Sequence, residues 1–132
     1  MFAVIGRYIY RPIDTRATLF FVKPDLAKLR AEYGRLRRRL AATGWITHGH
    51  VQDRGPGAGG PCYQWTRKEK KTTVSVALSK QQYLAMREAI ANWRKAQAIL
   101  TRMEQISRLL IFHTLPDARR RKPLTKRVLG IN

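Results

Sequence analysis

Residues 79–112, SKQQYLAMREAIANWRKAQAILTRMEQISRLLIF, constrain this chain more than any other stretch. Ser79 followed three positions later by Gln82 is a capping box, in which each residue satisfies a free backbone N–H of the other at a helix start. Tyr83, Met86, Ile90, Trp93, Leu100, Met103, Ile106 and Leu110 then recur at helical spacing, with Gln97 the polar exception in the stripe. Pro116 marks the latest end. A helix of that length is a rod roughly 50 Å long. One small sheet does not cover its stripe, so the first helix, a partner chain or both must do so.

Upstream, CYQWTRKEKKTTVSVALS holds two alternating runs. Tyr63 and Trp65 share one face and Gln64 and Thr66 the other; Val74, Val76 and Leu78 oppose Thr73, Ser75 and Ala77. Both runs are rich in β-branched or aromatic residues and predict a hairpin. The link around Glu69, Lys70 and Lys71 lacks the Asn-Gly or Asp-Gly of the tightest turns, so a loop of three to five residues is expected. Further upstream, Trp45, Ile46 and Val51 predict a short strand, and GPGAGGP a loop. An earlier helix is read from KPDLAKLRAEYGRLRRRLAATG. Pro24 and Asp25 suit its first turn, Leu26, Leu29, Tyr33, Leu36 and Leu40 form a heptad-like stripe, and Gly44 is its stop. Gly34 inside that helix suggests close approach of another helix.

The order is helix, short strand, hairpin, long helix and tail, an α+β fold with a small antiparallel sheet. Residues 1–22 read as an N-terminal arm, 23–112 as one domain, and 113–132 as a basic, weakly structured tail. The arm is apolar but broken by charges and lacks the order of a signal peptide. No apolar run approaches the roughly 20 residues of a membrane span. The single cysteine, Cys62, rules out an internal disulfide and fits a cytoplasmic protein.

Charge decides between function classes. Twenty-seven Lys and Arg against eight Asp and Glu give +19, spread over every part of the chain. A small domain with that charge repels itself, and a polyanionic partner resolves the repulsion. DNA or RNA is the first candidate and an anionic membrane surface the second. Three clusters are candidate phosphate contacts: Arg67, Lys68, Lys70 and Lys71 at the hairpin; Arg35, Arg37, Arg38 and Arg39 on the first helix; and Arg119, Arg120, Arg121 and Lys122 in the tail. Each is also readable as solvated surface. Trp65 and Trp93 read as core rather than as base-stacking groups, while Trp45 is assigned to neither. Few exposed aromatics favour a structured or double-stranded target. A homodimer through the Leu26–Leu40 and Tyr83–Leu110 stripes is expected.

The segments Gly60-Pro61, YQWTRK, KKTTVSVALS and REAIANWRK resemble a family of small uncharacterised bacterial proteins often encoded beside transposases and other mobile elements. The resemblance covers roughly residues 23–112 and is sharpest over 60–107. Its members share a leucine-rich helix, a GP-aromatic strand, a basic GKT-like hairpin and a long C-terminal helix. What it implies is a mobile-element setting, with a transposase or recombinase as a further partner. Many relatives carry cysteines spaced like metal ligands before the GP-aromatic strand, where this chain has HGHVQDRGPGAGG; Cys62 stands where relatives tend to have an aromatic.

Chemistry finds no foothold in the sequence. The eight acids are scattered, and GPGAGG has no Lys-Ser or Lys-Thr after it to cradle a phosphate. His48, His50 and Cys62 are poorly spaced for a metal. The expectation is a nucleic-acid-binding accessory or regulatory protein with no enzymatic activity, cofactor or metal. The alternatives are a helical module that docks on a transposase or recombinase, or a ribonucleoprotein component recognising one structured RNA.

Overall fold

The computed structural model describes residues 24–57 and 59–131 and, of the earlier segment, only the backbone of two short strands, β1 (Val4–Ile5) and β2 (Tyr8–Ile9). These pair antiparallel, with Val4 opposite Ile9. The rest of the arm at 1–22 lies outside the described residues. Then follow α1 (Leu26–Ala41), β3 (His50–Asp53), β4 (Tyr63–Glu69), β5 (Thr72–Leu78), α2 (Lys80–Thr114) and α3 (Lys126–Leu129). Helices plus an antiparallel three-stranded sheet, order β3-β4-β5, make the expected α+β arrangement. No described helix is long and apolar enough to cross a membrane. The chain divides into two compact units, Gly34–Arg102 and Met1–Tyr33 with Met103–Asn132, and both α1 and α2 contribute to each.

Asp25 caps α1: its Oδ1 accepts the Lys28 N–H at 3.1 Å, which places Pro24 just before the cap rather than in the first turn. The expected stripe is the inward one, with Leu29 and Leu36 buried and Leu26, Tyr33 and Leu40 half-buried. Gly34 faces away from it. Its nearest neighbour is the Arg38 guanidinium, 3.5 Å from where a Cβ would stand, so no other helix approaches there among the described residues. Nor does Gly44 end α1 by a left-handed turn: the helix stops at Ala41, and Gly44 instead lets the Asn92 amide come within 3.2 Å of its Cβ position.

In the Gly34–Arg102 unit, the segment before β3 is stitched to α2. Asn92 donates to the Trp45 carbonyl at 3.1 Å, and the Thr47 N–H to the Ala89 carbonyl at 3.3 Å. Residues 45–49 are thereby held outside the ladder, and the expected strand begins only at His50. The Trp65 indole donates to the His48 carbonyl at 3.1 Å, and the His48 ring lies 6.2 Å from that of Trp93. Tyr63 stacks on Tyr83 of α2 at 4.8 Å between ring centres. One sheet face therefore carries the partly buried Val51, Tyr63, Trp65, Val74 and Leu78.

The capping box is formed as the sequence predicts: the Gln82 N–H donates to Ser79 Oγ at 3.1 Å, and the Ser79 N–H to Gln82 Oε1 at 2.9 Å. Along α2 the buried stripe runs through Ala89, Ile90, Ala96, Ile99 and Ile106, while Leu100 is 40% exposed. The expected line through Gln97 and Leu100 is thus displaced by one residue, which removes the polar exception and puts small Ala96 inside.

In the other unit, the stretch expected to be a weakly structured tail ends in a capped turn of helix. Thr125 Oγ1 accepts the Val128 N–H at 3.2 Å, and Gly130 takes a left-handed φ of 68°. The Gly130 N–H donates to the Arg127 carbonyl and that of Ile131 to Lys126, a Schellman closure. Leu129 and Ile131 are buried against Leu109, Phe112 and Leu124. Apolar burial therefore anchors an end that charge count alone assigns to solvent.

Candidate nucleic-acid interface

The hairpin turn is tighter than its sequence suggests. Glu69 pairs with Thr72, so Lys70 and Lys71 alone make the turn. Both have positive φ, 46° and 68°, the conformation that matches the right-handed twist of the flanking strands. Each L-residue held there costs roughly 1–2 kcal/mol. Seven cross-strand pairs from Tyr63↔Leu78 to Glu69↔Thr72 impose it. The result is two exposed ammonium groups at the extreme end of a rigid ribbon.

Register separates the four basic residues of this region. Arg67 lies on the Trp65 face, its guanidinium 5.3 Å from the centre of the indole and paired with the Glu69 carboxylate. It is only half-exposed and already partnered. Lys68 points to the opposite face and has no acid partner among the described residues. Lys68, Lys70 and Lys71 are therefore the available cations, and Arg67 braces the ribbon.

On α1, successive 100° steps distribute the arginines. Arg38 points opposite the Leu29–Leu36 stripe, Arg35 and Arg39 lie on one flank, and Arg37 on the other. All four are exposed, and none has an ion pair among the described residues. A shallow depression floored by Gly34 and Ala41 opens between Arg37 and Arg38.

The third cluster is divided too. Arg120 donates to Asp117 Oδ1 at 2.6 Å and lies 5.4 Å from the Phe112 ring centre, so it holds the chain against its own unit. Arg119, Arg121 and Lys122 are exposed. Arg121 and Lys122 border a hollow with Phe112, Ala118 and Pro123. Because Leu129 and Ile131 are anchored, these cations ride on a bridge fixed at both ends rather than on a free arm.

Two other features stand out. Trp45, which lines a hollow with Ala85 and Ala89 of α2, is 88% exposed, and Ile46 is 54% exposed. Only half of the indication was in the sequence, since a Trp following a Gly in a linker reads equally as core or surface. Cys62 has an exposed thiol; its carbonyl accepts the Arg54 N–H at 2.7 Å, carrying the β3–β4 pairing past the strand ends. No three His, Cys, Asp or Glu side chains gather as metal ligands among the described residues. Compared with known proteins, the chain matches no family model, no curated protein and no solved structure.

Proposed function

We propose that this chain is a nucleic-acid-binding accessory or regulatory protein of a mobile genetic element, acting in the cytoplasm and performing no chemistry itself. It grips phosphates with Lys68, Lys70 and Lys71, with Arg35, Arg37, Arg38 and Arg39, and with Arg119, Arg121 and Lys122. The observation that carries this reading is the hairpin end, where two lysines occupy backbone positions that favour Asn or Gly. A turn selected for stability alone would not place them there. The mobile-element setting rests on the resemblance of residues 60–107. Anisotropy titrations with DNA and RNA across a salt series test the reading. Affinity should fall linearly on a log–log plot, with a slope of roughly 0.9 per duplex phosphate neutralised. Absence of binding to both polymers at low salt overturns it.

A second reading, docking on a transposase or recombinase, is favoured by the exposed pair Trp45 and Ile46. Large aromatics anchor protein interfaces. Co-purification with the neighbouring gene product, lost on Trp45→Ala, would support it.

A further inference from the structure

The sheet face opposite Trp65 holds none of the buried core residues and has a distinct chemistry, with Gln64 and Thr66 half-exposed and Thr73 and Ser75 exposed. On the hairpin it carries Gln64, Thr66 and Lys68 from β4 and Thr73, Ser75 and Ala77 from β5. It bears no carboxylate. The two acids of the sheet, Asp53 and Glu69, both lie on the Trp65 face and are both engaged, Asp53 with the Gly55 N–H at 2.9 Å and Glu69 with Arg67. The amide of Gln64 and the hydroxyls of Thr66, Thr73 and Ser75 have no hydrogen-bond partner among the described residues. Such groups are the ones that pair with base edges: Gln takes adenine bidentately, Ser and Thr accept or donate to any base, and Ala or a Thr methyl meets the thymine methyl.

The face is also held rigidly. β4 is the central strand, paired on both sides, and its Trp65 is tied to the His48 carbonyl. At Gln64 and Thr66 the face is three strands wide, with Gln52 and His50 of β3 beside them, and beyond Arg67 it narrows to the two strands of the hairpin. At about 4.8 Å between strands even the three backbones span about 10 Å, within the roughly 12 Å major groove of B-form DNA. The narrow major groove of A-form RNA does not admit them. Lys68, Lys70 and Lys71 then stand at the end of the ribbon, where it leaves the groove and meets phosphates.

We propose that the β4–β5 ribbon lies in the major groove of double-stranded DNA and reads base edges through Gln64, Thr66 and Ser75. This rests on the nucleic-acid reading above and assigns it a duplex target and a specificity surface.

Selection from a random duplex library tests it, using wild type, the Gln64→Ala/Thr66→Ala/Ser75→Ala variant and Lys70→Gln/Lys71→Gln, with thermal melts as folding controls. Wild type should enrich a short motif. The triple variant should bind DNA with an unchanged salt slope but lose preference for that motif by about tenfold or more. The lysine variant should keep the motif and bind with a shallower slope. If the triple variant melts early, Ser75→Ala alone, at an exposed edge-strand position, should still relax the motif at one base pair. Wild type that binds duplexes without enriching a motif, or a triple variant that keeps the preference, overturns the proposal and leaves phosphate binding intact. Failure of wild type to bind any duplex or RNA overturns the nucleic-acid reading itself. Equal binding to duplex RNA overturns the groove assignment.

Discussion

Gly49 holds φ at +124°, and a Cβ there would collide with the Trp65 indole nitrogen and come within 2.7 Å of the Thr66 carbonyl oxygen. Those atoms belong to the central strand and to the anchored tryptophan, so neither yields. Gly49→Ala should destabilise the protein by about 2 kcal/mol or more in urea unfolding. Gly34→Ala should do the reverse, stabilising by about 1 kcal/mol, because its Cβ finds ordinary contact 3.5 Å from Arg38 and the helix gains propensity. The two glycines look alike in the sequence. What separates them is a backbone angle and a neighbour brought in from elsewhere in the chain, and neither is written locally. The hairpin lysines offer a third test at this scale. Lys70→Asn/Lys71→Gly should raise stability by about 1 kcal/mol, since Asn and Gly tolerate positive φ. The same change should flatten the salt slope of DNA binding by up to about two units. Stability and binding moving in opposite directions is the signature of a turn kept for its charge.

At the level of elements, local signals were the most legible. Ser79 and Gln82 predicted the start of α2, and their reciprocal bonds of 3.1 and 2.9 Å are in place. Ser79→Ala should cost about 1 kcal/mol, read from chemical denaturation. Alternation likewise assigned the hairpin faces correctly, because a period of two needs no distant information. Turn length was not legible: Lys-Lys carries none of the usual two-residue signature, and the ladder of seven pairs forces it. The stripe of α2 was displaced for a related reason. Apolar size points to Leu100, whereas packing admits the smaller Ala96 and the neighbouring Ile99. α3 was visible in principle, as Thr125 and Gly130 bracket a short apolar run. The surrounding charge outweighed that signal. The pattern picked out three cationic clusters but could not tell that Arg67 and Arg120 are paired with Glu69 and Asp117.

For the whole molecule, the +19 charge is legible from composition, and its consequence is collective. Removing one exposed arginine should shift affinity little. Arg35→Gln/Arg37→Gln/Arg38→Gln should weaken binding to all sequences alike and flatten the salt slope by up to about three units, with folding preserved. Division into two units was not legible, because both helices run through the boundary without a break in their stripes. The anchored end has a consequence for proteolysis. Leu124, Leu129 and Ile131 are few contacts with which to hold a separate peptide, and the covalent tether keeps their effective concentration high. The bridge at Arg119 to Arg121 is exposed and irregular, whereas Lys70 and Lys71 sit in a turn too tight to extend into a protease cleft. Brief trypsin treatment should therefore cut the bridge before the hairpin. A single nick then releases the C-terminal peptide and bares Leu109 and Phe112, so hydrophobic-dye fluorescence should rise in step with cleavage.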